Sequence, residues 1–247
     1  MKKIFIIILL LMNYNSLNAD ETFSLTKIPN LKTYKIDSYN GLKYLIAKRP
    51  FQVGIRENNV TCFNSDKKNV EEKFNLLLKN FDIYNPNFLE KINLKYIVLC
   101  ERLSVANIDA AGVPNFKMKT LILDINFDKK FFERVLHHEV FHMINDSFKE
   151  QFPEDEWIRF NPKEFKYAEC STCSNLYDLS IINETNGFIT EYSMTTASED
   201  MAEVFSFLMK DKIKLYEKSI KDPILKKKIS FIKKNILSIY NNFNFGL

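Results

Sequence analysis

The sequence feature that most constrains the fold is the position of the histidines. All three histidines of the 247-residue chain lie within residues 137–142, which read HHEVFH. Residues 138–142 match the pattern HExxH, which shuffling of this composition would produce in about three chains per thousand. Apolar residues recur around it at helical spacing, namely Phe131, Phe132, Val135, Val140, Phe141 and Ile144. This spacing predicts a helix that Asp128 caps and that runs to about Phe148.

The HExxH pattern on a helix predicts a zinc site. His138 and His142 are four residues apart, so both imidazoles lie on one helix face and can share an ion about 2.0–2.1 Å from each nitrogen. Glu139 lies where its carboxylate can reach a water in the open coordination position of Zn²⁺. The alternative is a pair of surface histidines on an amphipathic helix. His137 points about 100° away from His138, so we expect it to face the solvent or support a ligand without binding the same ion.

A catalytic zinc ion needs a third protein ligand, and the sequence restricts the choice. The extended pattern HExxHxxGxxH would need Gly and His where the chain has Asn145 and Phe148. No other histidine remains and the cysteines are expected to be oxidised, which leaves a carboxylate on a second helix. Glu199 and Glu203 share one helix face, so one can bind the metal while the other orients a ligand histidine. Their spacing does not decide which, and Glu199 is alternatively the partner of Thr196 in a capping box.

The first residues have the pattern of a secretory signal peptide. The basic residues Lys2 and Lys3 precede an unbroken apolar run over 4–12, and Ala19 provides a small residue for cleavage. The run is about half as long as the ~20 residues that a membrane-spanning helix needs, although an uncleaved N-terminal anchor is the alternative. We therefore expect residues 1–19 to be removed and the mature chain to be periplasmic or secreted, without a stable membrane anchor.

The charge balance argues against nucleic acid as a partner. The chain has 35 basic and 31 acidic residues, a formal charge of +4, which falls to +2 without Lys2 and Lys3. Such a small charge gives no electrostatic basis for binding nucleic acid or an anionic membrane. The lysines near the C-terminus are expected to form a solvated face over an apolar stripe. They are Lys226, Lys227, Lys228, Lys233 and Lys234.

All four cysteines lie beyond the predicted signal peptide, and export makes disulfides the expected state. Of the three connectivities that four cysteines allow, Cys62–Cys100 with Cys170–Cys173 is favoured. The alternatives for Cys170 and Cys173 are half of a zinc site or a redox motif. A zinc site would need a second Cys or His pair that the sequence lacks, and a redox motif should open a helix after a strand rather than lie in a polar, irregular stretch.

The remaining patterns predict an α+β fold. The predicted helices cover residues 70–81, 199–209, 212–219 and 223–240, and the predicted strands cover 96–103 and 120–125. Strands early and helices late favour a small mixed sheet packed on a helical half. We expect an N-terminal α/β part over about 20–127 and a helical part over about 128–247. The strand before the histidine helix is expected to form a sheet edge with which an extended peptide can pair.

The HExxH pattern followed by a Glu-x-x-Ala-Glu-x-Phe helix resembles the gluzincin metallopeptidases of the anthrax-lethal-factor-like group, which includes secreted clostridial Pro-Pro endopeptidases. Residues 187–209, with Trp157 and residues 161–167 upstream, are also similar to bacterial proteins described as putative zinc-binding metallopeptidases. The resemblance covers about residues 120–210 and implies a zincin-like fold. Residues 20–119 match no family by their motifs. The stretch between the HExxH pattern and the glutamate helix is longer than in the toxin-like members, and it contains the Cys-x-x-Cys pair.

The resemblance also implies roles for two residues. In that group a tyrosine lies about seven residues before the glutamate ligand and helps to bind the substrate carbonyl. Tyr192 lies seven residues before Glu199, which implies that Glu199 is the metal ligand, that Tyr192 assists, and that Glu203 orients a ligand histidine. Without the resemblance, Tyr192 is simply a half-buried tyrosine in a turn.

Together these patterns predict an exported zinc endopeptidase acting on protein or peptide substrates. His138, His142 and Glu199 would hold Zn²⁺, and Glu139 would act as general base. Another zinc hydrolase such as a cell-wall amidase is a second hypothesis, although such sites usually space their histidines differently. A non-catalytic zinc-binding exported protein is a third, against which the presence of Glu139 argues, because the base is not needed to hold the metal.

Overall fold

The structure is a computed structural model that describes residues 30–53 and 59–246. The predicted signal peptide over 1–19 lies outside these residues. Of the helices that the structure describes, none is both long and apolar enough to cross a lipid bilayer. The division near residue 127 into an α/β part and a helical part stays a prediction.

One mixed sheet forms the first half of the described chain, as the α+β prediction requires. Its eight strands, counted over the described residues, are β1 (Leu31–Lys35), β2 (Lys43–Ala47), β3 (Phe51–Val53), β4 (Val60–Phe63), β5 (Tyr96–Val105), β6 (Ile108–Asp109), β7 (Gly112–Asn115) and β8 (Thr120–Asp124). The first half of β5 pairs in parallel with β2 and β8. Its second half pairs antiparallel with β4 and β6. Arg102, with φ of 51°, lies where β5 changes partners.

The predicted strands over 96–103 and 120–125 are confirmed, but the predicted sheet edge is wrong. β8 lies inside the sheet, because β5 pairs with one of its sides and β7 with the other. All five residues of β8 are buried. Among the described ladders, the edge on this side is β7, which carries Pro114. Proline lacks the N–H that an inner strand must donate, so it suits an edge strand.

The described helices include all five that the periodicity predicts and two short ones, over 86–91 and 154–158, that it does not. They are α1 (Lys67–Phe81), α2 (Pro86–Lys91), α3 (Phe132–Ser147), α4 (Glu154–Ile158), α5 (Ala197–Lys210), α6 (Lys212–Lys221) and α7 (Pro223–Ile239). The N-cap predicted for α3 is wrong. The carboxylate of Asp128 accepts the N–H of Lys130 at 2.8 Å and so closes a separate turn, and the helix begins four residues later, after Phe131.

The core lies in two layers, one on each face of the sheet. The strand period of two sends Ile97 and Leu99 of β5 into the large layer against the helices, and Val98 and Cys100 into a smaller layer on the opposite face. The large layer also contains the buried side of α3, including Leu136. Because both faces of β5 are covered, α3 rests on a sheet whose central strands are fixed from both sides.

Both favoured disulfides are formed, Cys62–Cys100 and Cys170–Cys173. The first joins β4 to β5 within the smaller core layer. The second closes a short exposed turn in the irregular stretch between α4 and α5, where the only ladder contact of the described residues is an isolated bridge from Ile181 to Thr190. The Cys-x-x-Cys pair therefore lies outside any helix, as expected for a structural disulfide.

One predicted surface lysine is buried. Lys226, Lys227 and Lys234 of α7 are exposed as expected. Lys228 is fully buried, and its Nζ donates to Oδ2 of Asp200 at 2.5 Å. The prediction of a uniformly solvated lysine face is wrong at this position because the irregular stretch and α5 cover this side of α7.

Candidate metal centre

Helix α3 carries the HExxH residues on its buried side. His138 is 5% exposed and Glu139 is 7% exposed. One helical turn separates His138 from His142, and their Nε2 atoms lie 3.1 Å apart. The helical spacing that predicted a shared face thus brings the two imidazole nitrogens to one point.

Helix α5 supplies the carboxylate that meets both imidazoles. Oε2 of Glu199 lies 2.8 Å from Nε2 of His138 and 3.2 Å from Nε2 of His142. The hydroxyl of Thr196 accepts the backbone N–H of Glu199 and caps the helix, as one half of the alternative capping box would require. The Glu199 carboxylate nevertheless points to the histidines.

Glu203, one turn further along α5, contacts a different atom of the same histidine. The Nδ1–H of His138 donates to Oε1 of Glu203 across 2.9 Å. The hydroxyl of Thr190 donates to Oε2 of Glu203, also at 2.9 Å. This contact holds a proton on Nδ1, so Nε2 is the nitrogen that remains to bind a metal ion beside Glu199 and His142. The choice between Glu199 and Glu203, which spacing left open, is therefore made by the geometry of α5 against α3.

The donor set fits a divalent cation such as zinc. Two imidazole nitrogens and one carboxylate oxygen, from His138, His142 and Glu199, form the one group of three or more potential ligands found within residues 30–53 and 59–246. Their separations of 2.8, 3.1 and 3.2 Å approach the roughly 3.3 Å that separates ligands around a tetrahedral ion with bonds of about 2.05 Å. Three protein ligands also leave a fourth position open, as in catalytic zinc sites.

The electrostatics of the site favour a positive charge at this point. Burial alone would lower the pKa of His138, but its hydrogen bonds to Glu199 and Glu203 raise it to about 10. Burial would raise the pKa of Glu199, but the imidazoles of His142 and His138 hold it well below its usual value. Two carboxylates thus stabilise a cation beside His138, which is also what a bound metal ion requires.

Glu139 and Tyr192 lie beside the candidate metal ligands. Burial raises the pKa of the Glu139 carboxyl, an effect that the nearby His138 and His142 oppose. Tyr192 opens a short 3₁₀ turn (Tyr192–Met194) just before α5, and its ring centre lies 5.8 Å from that of His138. Burial, with the charges of Glu199 and Glu139, raises the Tyr192 pKa far above its usual value. Its hydroxyl therefore stays protonated and can donate a hydrogen bond.

His137 does not belong to the candidate metal-binding group, as its position on the helix predicts. The expectation that its side chain faces the solvent is wrong. It is 1% exposed. Its Nδ1 accepts the hydroxyl of Tyr84 at 2.7 Å, and its Nε2–H donates to Asn80 at 3.1 Å. Burial, aided by the charge of Lys210, lowers the pKa of His137 to about 3, so this imidazole is a neutral part of the core.

Sequence reasoning missed three residues around the site. Arg134 is 6% exposed and its Nη1 lies 3.6 Å from Oε2 of Glu203. Thr190 donates to the same oxygen, and Gly112 of β7 lies against Glu139. Only Arg134 left a signal in the sequence, because it is a basic residue one turn before His138 on an otherwise apolar helix side.

The candidate site lies within the part of the chain that matches a known protein family. Residues 91–244 match a family described as putative zinc-binding metallo-peptidase, and this range includes all three candidate ligands. The match extends beyond the expected range of about 120–210 at both ends, so the expectation that residues 20–119 match no family is wrong for residues 91–119. A crystal structure of a putative zinc-binding metallo-peptidase from Bacteroides caccae is similar with a TM-score of 0.46, at 17% identity over 77% of each chain. No curated protein matches the chain.

Proposed function

The chain belongs to the putative zinc-binding metallo-peptidase family, and we propose that it is a zinc-dependent endopeptidase with Glu139 as general base. The observation that carries this proposal is the convergence of His138, His142 and Glu199 from two helices on one point. The base candidate follows His138 directly on α3 and shares its buried environment. A protein that only stores zinc needs the ligands but has no use for that buried carboxylate.

Each residue of the proposed site has a separate task in peptide hydrolysis. When bound, zinc supplies Lewis acidity that lowers the pKa of a coordinated water to about 7 and polarises the scissile carbonyl. Glu139 takes the proton from the attacking water and passes it to the leaving amine.

Tyr192 supplies the hydrogen bond to the oxyanion that forms from the scissile carbonyl. Its raised pKa keeps the hydroxyl protonated throughout the working pH range. One such donor is typically worth about 3 kcal/mol of barrier. Its backbone is held in place, since the N–H of Tyr192 donates to the carbonyl of Asp178 at 3.2 Å.

The free edge of β7 supports a peptide as substrate. Among the described ladders, β7 pairs only with β8, so its outer backbone groups, apart from the N–H that Pro114 lacks, are open to an extended chain. β7 also packs on α3, and Gly112 at its start touches the side chain of Glu139. A peptide that added to this edge would lie next to the base.

The proposal includes export. The signal-peptide pattern over 1–19 and two disulfides among the described residues both suit an oxidising compartment. We therefore place the mature enzyme in the periplasm or outside the cell. Sequencing the N-terminus of the protein recovered from its native host tests this placement.

The decisive experiment is a peptide-library digest with the wild type and Glu139→Gln. We expect the wild type to cleave peptides, to stop when a chelator removes zinc, and to recover when zinc is restored. Glu139→Gln should bind one zinc ion but lose at least about a hundredfold in kcat, the usual contribution of a general base. The matched control is Glu150→Gln, which alters an exposed glutamate just after α3.

The other outcomes separate the competing hypotheses. Absence of hydrolysis in both wild type and Glu139→Gln, with zinc bound to each, would favour the non-catalytic zinc-binding protein. Cleavage of peptidoglycan fragments without cleavage of any library peptide would favour the cell-wall amidase.

A further inference from the structure

Gly112 lies against the side chain of Glu139. A Cβ atom placed on Gly112 would lie 2.5 Å from Cγ and 2.6 Å from Cδ of Glu139. Carbon atoms that are not bonded make their best contacts at about 3.5–4.0 Å. No residue other than glycine can therefore occupy this position while the Glu139 side chain stays where it is.

The backbone on both sides of this contact is fixed. Gly112 pairs with Leu123 of the buried strand β8, and the carbonyl of the preceding residue, Ala111, accepts the N–H of Asp124 at 3.0 Å. On the other side, Leu136 and Val140, which flank Glu139 in α3, are fully buried. Neither the strand nor the helix can move away without disturbing the core, so an added methyl group must displace the Glu139 side chain itself.

We infer that Gly112 is a positioning residue for the reaction: by lacking a side chain, it makes the space in which the Glu139 carboxylate lies beside the metal ligands. This inference rests on the proposed function, in which Glu139 is the base. The close contacts of Gly112 are with Glu139 and with none of the three candidate ligands. Gly112 also lies on the proposed peptide edge, but a peptide would pair there with backbone groups that alanine keeps. The effect of an added methyl group should therefore fall on proton transfer through Glu139 and not on metal binding.

The first test is kinetic and uses the full-length mature protein with Gly112→Ala. The displaced carboxylate should lower kcat by about a hundredfold, the typical cost of a misplacement near 1 Å. KM should stay within about twofold, and the zinc dissociation constant, measured by competition with a chromogenic chelator, should not change. A kcat within threefold of the wild type overturns the inference, and so does a loss carried by KM or by zinc binding.

The second test does not depend on activity. Gly112→Ala is made in the wild type and in Glu139→Ala, where Cγ, Cδ and the carboxylate are absent, and Tm is measured with chelator present. In the wild type the overlap should lower Tm by about 3–6 °C. In Glu139→Ala the same change should be neutral or raise Tm, because alanine restricts the unfolded chain more than glycine does.

The two tests together distinguish failure of the inference from failure of the function. An equal Tm loss in both backgrounds overturns the inference, because the cost would then not come from Glu139. If Tm changes in neither background but kcat is still lowered, the inference is supported. The Glu139 side chain would then adopt another position with little loss of stability. If the wild type cleaves no peptide, the proposed function fails, and the Tm comparison alone decides whether Gly112 makes room for Glu139.

Discussion

At the scale of single residues, Glu203 connects the candidate metal centre to the surrounding protein. One of its oxygens accepts the Nδ1–H of His138 at 2.9 Å. The other accepts the hydroxyl of Thr190 at 2.9 Å and faces Nη1 of Arg134 at 3.6 Å. A second nitrogen of the same guanidinium, Nη2, donates to the carbonyl of Leu179. The orientation of one ligand imidazole thus depends on a carboxylate that is itself held from two sides.

Glu203→Gln should therefore weaken zinc binding without removing a ligand. The amide keeps the shape of the side chain but loses the negative charge that makes the His138 imidazole a stronger donor to the metal. We expect the zinc dissociation constant to rise about 10- to 100-fold, as is usual when such a partner is replaced. Competition with a chromogenic chelator measures it.

Two further variants serve as comparisons for the zinc dissociation constant of Glu203→Gln. Glu199→Gln, which removes a proposed ligand, should weaken zinc binding more than Glu203→Gln does. Glu217→Gln, at an exposed glutamate of α6, should leave it unchanged. An unaltered dissociation constant in Glu203→Gln would show that the contact with Nδ1 does not influence the metal.

The residues of the site differ in how far the sequence could reveal them. His138, Glu139 and His142 are close in the chain, so local helical spacing suffices to place them together. Glu199 and Glu203 share a helix face, and only the packing of α5 on α3 decides which of them meets the Nε2 atoms. The free volume around a side chain is even harder to infer from sequence than which residues lie close together. Nothing in the sequence therefore indicated the role of Gly112.

At the scale of elements, Asp222 organises the start of α7. It is 6% exposed and forms the N-cap of the helix. Its Oδ1 accepts the N–H of Ile224 at 3.0 Å and of Leu225 at 2.9 Å. Its Oδ2 accepts the hydroxyl of Thr185 at 2.5 Å and the N–H of Gly187 at 2.6 Å. One carboxylate therefore joins the irregular stretch before α5 to the last helix.

These contacts predict a pH-dependent stability. Burial would raise the pKa of Asp222, but its four hydrogen bonds lower it below its usual value. A lowered pKa in the folded state means that the stabilisation is complete above the unfolded value near 3.9 and is lost as pH falls through it towards the folded value. Asp222→Asn should cost about 2 kcal/mol at pH 7, and its deficit relative to the wild type should shrink below about pH 4.

Urea unfolding at several pH values measures the effect, with Asp66→Asn as the control. Asp66 is an exposed N-cap of α1 whose carboxylate accepts only the N–H groups of Lys68 and Asn69. Its contact with a distant segment uses the backbone N–H, which donates to Glu101 and which asparagine keeps. Asparagine caps a helix about as well as aspartate does, so the control should cost little at any pH. A pH-independent deficit in Asp222→Asn would contradict the role of the charge.

Helices were predicted well where the residues of the segment itself determine its structure. The apolar period places α1, α5, α6 and α7 within a few residues of their observed bounds, because each helix buries one continuous stripe. Lys228 departs from this pattern because its cover comes from distant residues. Its Nζ donates to Asp200 at 2.5 Å and to the carbonyl of Gly187 at 2.8 Å. No periodicity within α7 contains that information.

At the scale of the whole molecule, the sequence could predict the class of fold but not the order of the strands. Strand patterns early in the chain and helix patterns late suffice to predict an α+β class. The position of β8 inside the sheet depends on β7, a four-residue strand that includes a glycine and a proline and has no strand pattern of its own. The edge strand with which a peptide could pair is therefore β7 and not β8. It lies one strand away from the predicted position and next to Glu139.

The two disulfides should differ in how much they stabilise the whole molecule. Cys62 and Cys100 are 38 residues apart, whereas Cys170 and Cys173 are 3 apart. A crosslink stabilises mainly by restricting the unfolded chain, and the loop-closure relation gives about 4 kcal/mol for the long loop and about 2 kcal/mol for the short one. The long crosslink also lies in the smaller core layer between β4 and β5, while the short one lies in an irregular segment.

We therefore expect the double variant Cys62→Ala with Cys100→Ala to lose about 4 kcal/mol of unfolding free energy in urea, and its m-value to rise because the unfolded chain expands. Cys170→Ala with Cys173→Ala, the matched control, should lose about half as much or less. Zinc affinity should survive in both, since neither pair touches the three candidate ligands in the contacts described. A greater loss from the short loop would mean that the irregular segment, and not the sheet, limits the stability of the molecule.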